Sequence, residues 1–402
     1  MEVRPIFSAL LRNKTGAFLI SLQIALTLAV VANALFIIVQ RLEKMNRPTG
    51  MDVDNIIMVA SSAFTQDYDA RGSLRKDLDA LRAIPGVIAA TPINQIPLSG
   101  GGDSNGYRAS TDVPSHDGIS ANNYMCDEQC VDTLGIELES GRSFDASEIT
   151  FREPNSSFFS PGVLITRALG EELFGDEDPL GKSIYDGLGR STTVIGVIRR
   201  MQGAWVSWEG LERVMVRPEV GLWPYTRYLI RTEPGQRDAI MPVVEKTLID
   251  LNKERLVRRL TAHADVVKHS YSQDRTMAVI LTTVSALLVT VTALGIVGLA
   301  SFSVSQRTRQ IGIRRAIGAR RLDILRYFLV ENWMITTGGV VLGCILTLAF
   351  NFWLVSEYEL PRLELVYVLG GIAGLLMLGQ LAVLMPARRA AAVAPAIATR
   401  NV

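Results

Sequence analysis

Residues 276–306 spell TMAVILTTVSALLVTVTALGIVGLASFSVSQ, a run in which no side chain carries a charge. A helix needs about 20 apolar residues to cross the hydrocarbon core of a bilayer, and this run is longer. Residues 15–40, 332–356 and 365–387 form three more runs of the same kind. Buried helices of a water-soluble core are the competing interpretation, but four such runs in one chain are not typical of such a core. The sequence therefore predicts four transmembrane helices.

The first apolar run has one property of a secretory signal, because Arg4, Arg12 and Lys14 precede it. A signal peptide has an apolar region of only about 7–15 residues, followed by a cleavage site between small residues. The run at 15–40 is longer, and no convincing cleavage site closes it. We therefore expect a retained membrane helix rather than a cleaved signal.

Arginine is distributed unevenly among the segments that flank the spans. Seven arginines lie between residues 307 and 326, whereas the loop at 357–364 carries three Glu and one Arg. Short loops rich in Lys and Arg stay on the cytoplasmic side of a membrane. The residues before the first span and after the fourth are also basic, so both termini are predicted to be cytoplasmic.

This topology describes a multi-pass protein of the inner (plasma) membrane with a large periplasmic domain between the first and second spans. The predicted segments are a cytoplasmic N-terminus at 1–14, transmembrane helices at 15–40, 276–306, 332–356 and 365–387, an extracytoplasmic domain at 41–275, a cytoplasmic segment at 307–331, an extracytoplasmic loop at 357–364 and a cytoplasmic tail at 388–402.

Polar side chains within the spans are few, and no Asp, Glu, Lys, Arg or His is among them. Proton relays and ion pathways usually place ionisable groups in the bilayer, so a pump with its substrate route through these helices is disfavoured. Gly339 and Gly343 form one G-x-x-x-G motif, and Gly370 and Gly374 form another. Small residues at this spacing let helices pack closely in lipid, although glycine is also common in membrane helices generally.

The extracytoplasmic segment alternates strand-like and helix-like stretches. Asn55–Ala60 predicts a strand, and Ser73 is the predicted cap of an amphipathic helix before a second strand at Val87–Ile93. The strand–helix order recurs from Arg227 to Lys253. Short alternating runs at Val163–Thr166, Thr192–Ile198 and Arg213–Val216 predict a small β-rich subdomain. The predicted fold class is an α-helical membrane protein with four transmembrane helices and a large α+β extracytoplasmic domain.

Neither nucleic acid nor a nucleotide is a predicted ligand. The net charge is +1, so no overall basic field favours nucleic acid. Gly181-Lys182-Ser183 resembles the end of a phosphate loop, but that motif requires a glycine where this chain has Asp176. We expect no cofactor in this chain and no visible energy source of its own.

Cys126 and Cys130 frame the sequence CDEQC. Two close cysteines in an oxidising compartment favour a disulfide. The surrounding stretch, Asn123 to Leu134, has a helical pattern, and a regular helix separates cysteines four residues apart awkwardly for bonding. Both outcomes stay open at this stage. A metal site with His116 is disfavoured, so none is predicted, and Cys344 in the third span is interpreted as a packing residue.

Two groups of motifs carry a family resemblance. Arg307–Ala319, RTRQIGIRRAIGA, and Leu322–Glu331, LDILRYFLVE, resemble the hallmark of FtsX-like ABC permeases. The family commonly has Glu where this chain has Gln310, so no ion pair is assigned to that position. Leu134–Phe144, Leu173–Lys182 and Ile84–Val87 are similar to stretches of MacB-type periplasmic domains. The resemblance spans nearly the whole chain and is closest to relatives that lack a fused nucleotide-binding domain.

The resemblance implies a permease of the mechanotransmission kind, in which two permeases, identical or paralogous, pair in the lipid bilayer. It further implies a separate cytoplasmic ABC ATPase that binds ATP and Mg²⁺, and a periplasmic adaptor with an outer-membrane duct for efflux or export. The alternative is an FtsX-like regulator of a cell-wall hydrolase or signalling partner, and a membrane-tethered enzyme ranks lower because no nucleophile–base pair is visible.

The segment after the second span is the predicted docking element for the ATPase. Its apolar residues recur at roughly helical spacing, its small residues allow close approach, and its arginines would orient a partner. The predicted docking residues are Arg307, Arg309, Ile311, Gly312, Ile313, Arg314, Arg315, Ala316, Ile317, Gly318 and Ala319.

Overall fold

The computed structural model describes residues 14–64, 68–153, 159–358 and 362–393. It divides into two compact units, one formed by Arg47–Ser272 and the other by the chain up to Asn46 together with the chain from Gln273 onward. We call the first the outer unit and the second the membrane unit.

Regular structure alternates along the described chain. The helices are α1 (Lys14–Met45), α2 (Ala70–Arg82), α3 (Cys130–Leu134), α4 (Arg167–Phe174), α5 (Arg237–Leu251), α6 (His263–Ser270), α7 (Ser272–Ala316), α8 (Arg321–Tyr358) and α9 (Leu365–Ala391). The strands are β1 (Ile56–Ala63), β2 (Val87–Ile93), β3 (Ser104–Tyr107), β4 (Ile119–Met125), β5 (Leu138–Gly141), β6 (Thr150–Arg152), β7 (Gly162–Thr166), β8 (Ser183–Tyr185), β9 (Ser191–Ile198), β10 (Val214–Arg217), β11 (Glu219–Gly221), β12 (Tyr225–Thr232) and β13 (Arg255–Ala262).

The membrane unit consists of α1, α7, α8 and α9, and each of these helices is long and apolar enough to cross a bilayer. The predicted four membrane helices with a large α+β domain after the first are therefore confirmed. The helices are longer than the charge-free runs because helical structure continues into the flanking charged residues. The longest of the four, α7, has 45 residues.

Close packing of α8 against α1 depends on the first glycine motif. A Cβ atom at Gly339 would lie 2.8 Å from the Ser21 carbonyl oxygen, and one at Gly343 would lie 3.0 Å from the Ala25 Cα atom. Gly370 and Gly374 differ, because among the described residues no atom lies within 4 Å of a Cβ built at either position. Of the two G-x-x-x-G motifs, the one in α8 therefore packs against another helix, and the one in α9, in the described part of the chain, does not.

Three polar side chains of α1 and α8 and one of α7 form hydrogen bonds inside the membrane unit, where lipid offers no alternative partner. The Thr27 and Thr292 hydroxyl oxygens lie 2.8 Å apart and join α1 to α7. Asn33 donates to the Ala29 carbonyl at 2.9 Å, and Asn351 donates to the Asn33 amide oxygen at 3.3 Å.

A four-stranded sheet with the order β13-β1-β12-β2 forms one part of the outer unit. α2 and α5 cover one of its faces through Leu74, Leu81 and Val244, which pack with Ile57 and Tyr228 of the sheet. The two predicted strand–helix pairs are present, but α2 begins at Ala70 rather than at Ser73. Asp69 is its cap, because the carboxylate accepts from the Gly72 amide at 2.9 Å.

A seven-stranded sheet runs in the order β3-β4-β10-β7-β9-β5, with β8 paired to β9. It contains the three short strands predicted for the β-rich subdomain. The helix predicted for residues 123–134 is wrong in its first half, because residues up to Met125 belong to β4 and the helix begins only at Cys130. The turn between them brings the Cα atoms of Cys126 and Cys130 to 5.8 Å, and the structure contains a disulfide between them.

Candidate functional site

The end of α7 is shaped by a glycine turn. Gly318 has a φ of +107°, in the left-handed region that favours glycine. The Ala319 amide donates to the Arg314 carbonyl at 3.1 Å, and the Gly318 amide donates to the Arg315 carbonyl at 3.2 Å. This pair of bonds is the Schellman motif, which satisfies carbonyls at a helix end. The chain therefore leaves α7 sharply after Ala316.

The next helix begins within a few residues. The Arg320 amide donates to the Asp323 carboxylate at 2.9 Å, which satisfies a free N–H at the start of α8 and places a negative charge in its first turn. The predicted docking segment is thus a helix end, a tight turn and a helix start rather than a loose loop.

One face of the last turns of α7 points into the membrane unit. Ile311 is only 5% exposed and packs in a cluster with Ile324, Phe328 and Ala387, and Gly312 is also buried. Although Ile311 and Gly312 belong to the predicted docking set, their burial in this arrangement leaves no surface for a partner to contact.

Arg315 joins α7 to the end of α9. Its Nη1 atom donates to the carbonyls of Ala391 at 2.9 Å and Val393 at 3.0 Å. These carbonyls lack an intrahelical partner, and a cation there also complements the helix dipole. Arg315 is therefore a tether between two helices and faces the bundle.

Arg307 joins α7 to α8. Its Nη1 atom lies 3.0 Å from both carboxylate oxygens of Glu331 and 3.2 Å from the Tyr327 hydroxyl. The Glu331 side chain is 8% exposed, so the pair is largely removed from water. Glu331 is not among the residues predicted for the site. Its signal was present, because Glu331 is an acidic residue directly before a charge-free span.

The opposite face of α7 is open. Ile313 is 45% exposed and Ile317 is 82% exposed, and Ala316 between them is exposed as well. Positions three and four apart share one face of a helix, so these residues form one apolar patch, which we call the Ile317 face. Arg309 and Arg314 are exposed beside it. Ala319 is half-buried in the turn.

The outer end of α7 is tied to α1 within the same unit. The Asp274 carboxylate pairs with Arg41 and, at 3.1 Å, with Lys44. With the Thr27–Thr292 contact and the Arg307 and Arg315 bonds, α7 has polar links near both ends and at its middle.

The other sequence candidates lie elsewhere. Lys182 pairs with Glu177, and the chain after it enters β8 rather than a helix, whereas a phosphate loop opens onto a helix N-terminus. Among the described residues no three His, Cys, Asp or Glu side chains are placed to hold a metal. His116 lies beside Asp117 and is exposed. Cys344 is half-buried in α8.

The disulfide lies beside a buried carboxylate. Asp127 accepts from Arg82 at 2.5 Å and from the Thr91 hydroxyl at 2.7 Å. Burial raises the pKa of Asp127 to about 6, although Arg82 and Thr91 oppose the rise. Both cysteines are fully buried. These contacts hold the turn after β4 in place.

Two family models match the chain. The model described as a MacB-like periplasmic core domain matches residues 18–246. The model described as an FtsX-like permease C-terminal domain matches residues 282–395. The second match contains the end of α7, the glycine turn, Glu331 and the end of α9.

Two ATP-binding/permease proteins are similar to this chain over more than 260 residues each. A macrolide export ATP-binding/permease protein, MacB, of Neisseria meningitidis serogroup A is 31% identical over 295 residues, covering 69% of this chain and 43% of that protein. A pyoverdine export ATP-binding/permease protein, PvdT, of Pseudomonas syringae pv. tomato is 28% identical over 263 residues, covering 62% and 39%. This chain thus spans less than half the length of these two relatives.

Among solved structures, the periplasmic region of MacB from Actinobacillus actinomycetemcomitans matches 57% of this chain and 97% of that chain. Its TM-score is 0.32 and its sequence identity is 17%.

Proposed function

Because the chain belongs to the MacB/FtsX-type ABC transporter permeases, we propose that it is a non-catalytic membrane subunit. It couples ATP hydrolysis in a separate cytoplasmic ATPase to movement of its outer unit. This movement drives efflux or export of substrates from the periplasm. ATP and Mg²⁺ bind to the ATPase partner and not to this chain.

The observation that carries the proposal is the Ile317 face. An isoleucine that is 82% exposed at the tip of a helix leaves apolar surface in water, which is unfavourable unless a partner covers it. A short apolar helix face flanked by arginines fits a groove on another protein, where the apolar residues supply affinity and the charges orient the encounter. The ATPase subunit is the proposed occupant.

The path from that face to the outer unit is a single helix. α7 has 45 residues and is therefore about 67 Å long at 1.5 Å per residue, more than twice the ~30 Å hydrocarbon core. Only Tyr271 separates it from α6, the last helix of the outer unit. A displacement of the docking end is therefore carried by covalent helical structure and not by a chain of weak contacts.

The proposed topology places both termini and the Ile317 face in the cytoplasm and the outer unit in the periplasm. The arginine distribution supports it. The partners are a second permease, identical or paralogous, and a periplasmic adaptor with an outer-membrane duct. The absence of ionisable residues from the charge-free runs supports transport that does not pass through these helices.

The test is purification of the full tagged chain from its native membrane, followed by identification of its partners and assay of ATP hydrolysis. An ABC ATPase in stoichiometric amount, whose hydrolysis rate changes when this chain is removed, is the expected result. A complex that holds a cell-wall hydrolase or a sensor kinase, with no export adaptor, would favour the regulatory alternative instead.

A further inference from the structure

The outer unit contains a cavity of about 720 Å³ against one face of the four-stranded sheet. Met58 of β1 lies on the sheet side, the segment at 94–103 forms a second wall, and Val266 and His269 of α6 form a third. This volume is in the range of sites that hold drug-sized molecules, ~300–1,000 Å³. The docking and tether residues of the membrane unit do not belong to it.

Charges of both signs line this cavity without neutralising one another. Arg227 and Arg259 carry the positive charges, and Asp103 and Asp265 carry the negative charges. Within the part of the chain that the structure describes, none of the four forms an ion pair. Arg227 donates only to the Asn94 carbonyl and lies over the Tyr225 ring. Four charged groups therefore remain available to a ligand.

The backbone is strained at two positions beside the cavity. Leu98 and Arg259, with φ of 57° and 53°, are the non-glycine residues with positive φ in the described ranges. Arg259 lies at a β-bulge, where the pairing of β1 with β13 shifts register between Met58 and Ala60. Bulges re-aim side chains near functional sites, and left-handed residues other than glycine persist where the surroundings hold them. Both observations point to the same cavity.

Hydrogen bonds to the rest of the outer unit fix the second wall, the segment at 94–103. His263 is buried, burial lowers its pKa, and its Nε2 atom lies 2.9 Å from the Pro97 carbonyl. The Ser270 hydroxyl donates to the Leu98 carbonyl. Gln95 donates to the Asn123 carbonyl at 2.7 Å. The cavity is therefore preformed, which lowers the ordering cost of binding.

We propose that this cavity binds a small zwitterionic amphiphile. The anionic group pairs with Arg227 and Arg259, the cationic group pairs with Asp103 or Asp265, and the apolar body lies on Met58, Ile96 and Val266. A purely anionic ligand would be repelled by the two aspartates. A purely cationic ligand would be repelled by the two arginines. This proposal does not depend on the ATPase coupling described above.

The test is calorimetric titration of the purified full chain with four forms of tri-leucine. The peptide with free termini is zwitterionic, the N-acetylated form is anionic, the C-terminal amide is cationic, and the doubly blocked form is neutral. We expect the zwitterion to bind about tenfold more tightly than either singly blocked form, since each lost pairing weakens binding. Equal affinity for all four forms, or no binding of any form below about 1 mM, would overturn the proposal.

Two variants assign the charges. Arg259→Gln should weaken binding of the zwitterion and the N-acetylated form but not of the amide. Asp265→Asn should weaken binding of the zwitterion and the amide but not of the N-acetylated form. Both residues are exposed and unpaired in the described structure, so folding should survive. The matched control is Arg258→Gln, an exposed neighbour that does not line the cavity. An equal loss in the control would mean general electrostatic attraction and would refute the site.

Discussion

Arg307 on α7 and Glu331 on α8 are joined by two contacts of 3.0 Å between one guanidinium nitrogen and both carboxylate oxygens. The carboxylate is almost completely shielded from water. This pair fixes α7 to the neighbouring helix shortly before the exposed Ile317 face.

Breaking this pair should destabilise the protein. Glu331→Gln leaves the Arg307 charge without its partner, and removal of one member of a buried pair is costly. Because Arg307 keeps 20% of its side-chain exposure, we expect a loss of about 2 kcal/mol rather than the larger values for fully buried pairs. The measurement is a double-mutant cycle with Arg307→Gln by thermal unfolding in detergent. Additive losses, equal to those from Arg309→Gln, would mean that the pair contributes nothing.

The topology predicts opposite labelling of two exposed serines. Ser104 starts β3 in the outer unit, and Ser305 lies in the last third of α7, toward the Ile317 face. In a Cys344→Ala background, a membrane-impermeant thiol reagent added outside spheroplasts should label Ser104→Cys and not Ser305→Cys. After permeabilisation both should react, which controls for accessibility. Labelling of Ser305→Cys alone in intact spheroplasts would invert the proposed orientation.

Asp127 should make stability depend on pH. Burial raises its pKa to about 6, above its unfolded value of about 3.9, so the folded state binds the proton more tightly. The contribution of Asp127 is then most favourable below about pH 4 and falls by about 3 kcal/mol as pH rises through 6.

Asp127→Asn removes this titration. Its melting temperature relative to wild type should therefore rise between pH 4.5 and 7, measured on the full chain in detergent. Glu128→Gln, at the neighbouring and more exposed position, serves as the control. A constant difference between Asp127→Asn and wild type over this window would contradict the raised pKa.

Arg259 should lower the stability of the fold while contributing to ligand binding. A left-handed conformation costs a side-chain-bearing residue about 1–2 kcal/mol, partly offset by the greater chain entropy that glycine loses on folding. Arg259→Gly should therefore raise the unfolding free energy by about 0.5 kcal/mol and weaken binding of the zwitterion. Arg258→Gly, whose φ is not positive, should lower stability instead. Destabilisation by both variants would mean that Arg259 is retained for packing.

Periodicity predicted the amphipathic helix at the docking segment but not which of its faces is covered. Ile311 and Ile313 are equally apolar in sequence, and only the packing of α8 and α9 distinguishes the buried residue from the exposed one. The Arg307–Glu331 pair was missed for a related reason, since its members are 24 residues apart and meet only when α7 and α8 pack.

The helix predicted around the cysteines was wrong for a different reason. Residues 123–125 have a helix-compatible composition, but tertiary pairing of β4 with β3 and β10 overrides that weak preference. The four spans were predicted correctly because a long charge-free run has few alternatives in a chain that folds in lipid. The cavity could not be predicted, because its charged residues come from three separate parts of the sequence.

The Ile317 face is the proposed binding surface for the ATPase subunit. A carboxylate at position 317 would oppose burial in an apolar groove, yet it should not disturb the bundle because Ile317 is already 82% exposed. Ile317→Leu keeps the apolar surface and is the matched control. Ile311→Asp is unsuitable as a test, since it would place a charge inside the bundle.

The most direct measurement is the molar ratio of ATPase subunit to this chain after purification from native membranes, with wild type, Ile317→Leu and the Ile313→Asp, Ile317→Asp double variant compared. We expect an unchanged ratio for Ile317→Leu and loss of most of the ATPase from the double variant, with normal membrane insertion of both. A double variant that inserts normally, retains the ATPase at the wild-type ratio and still stimulates its hydrolysis would show that the Ile317 face is not the docking site.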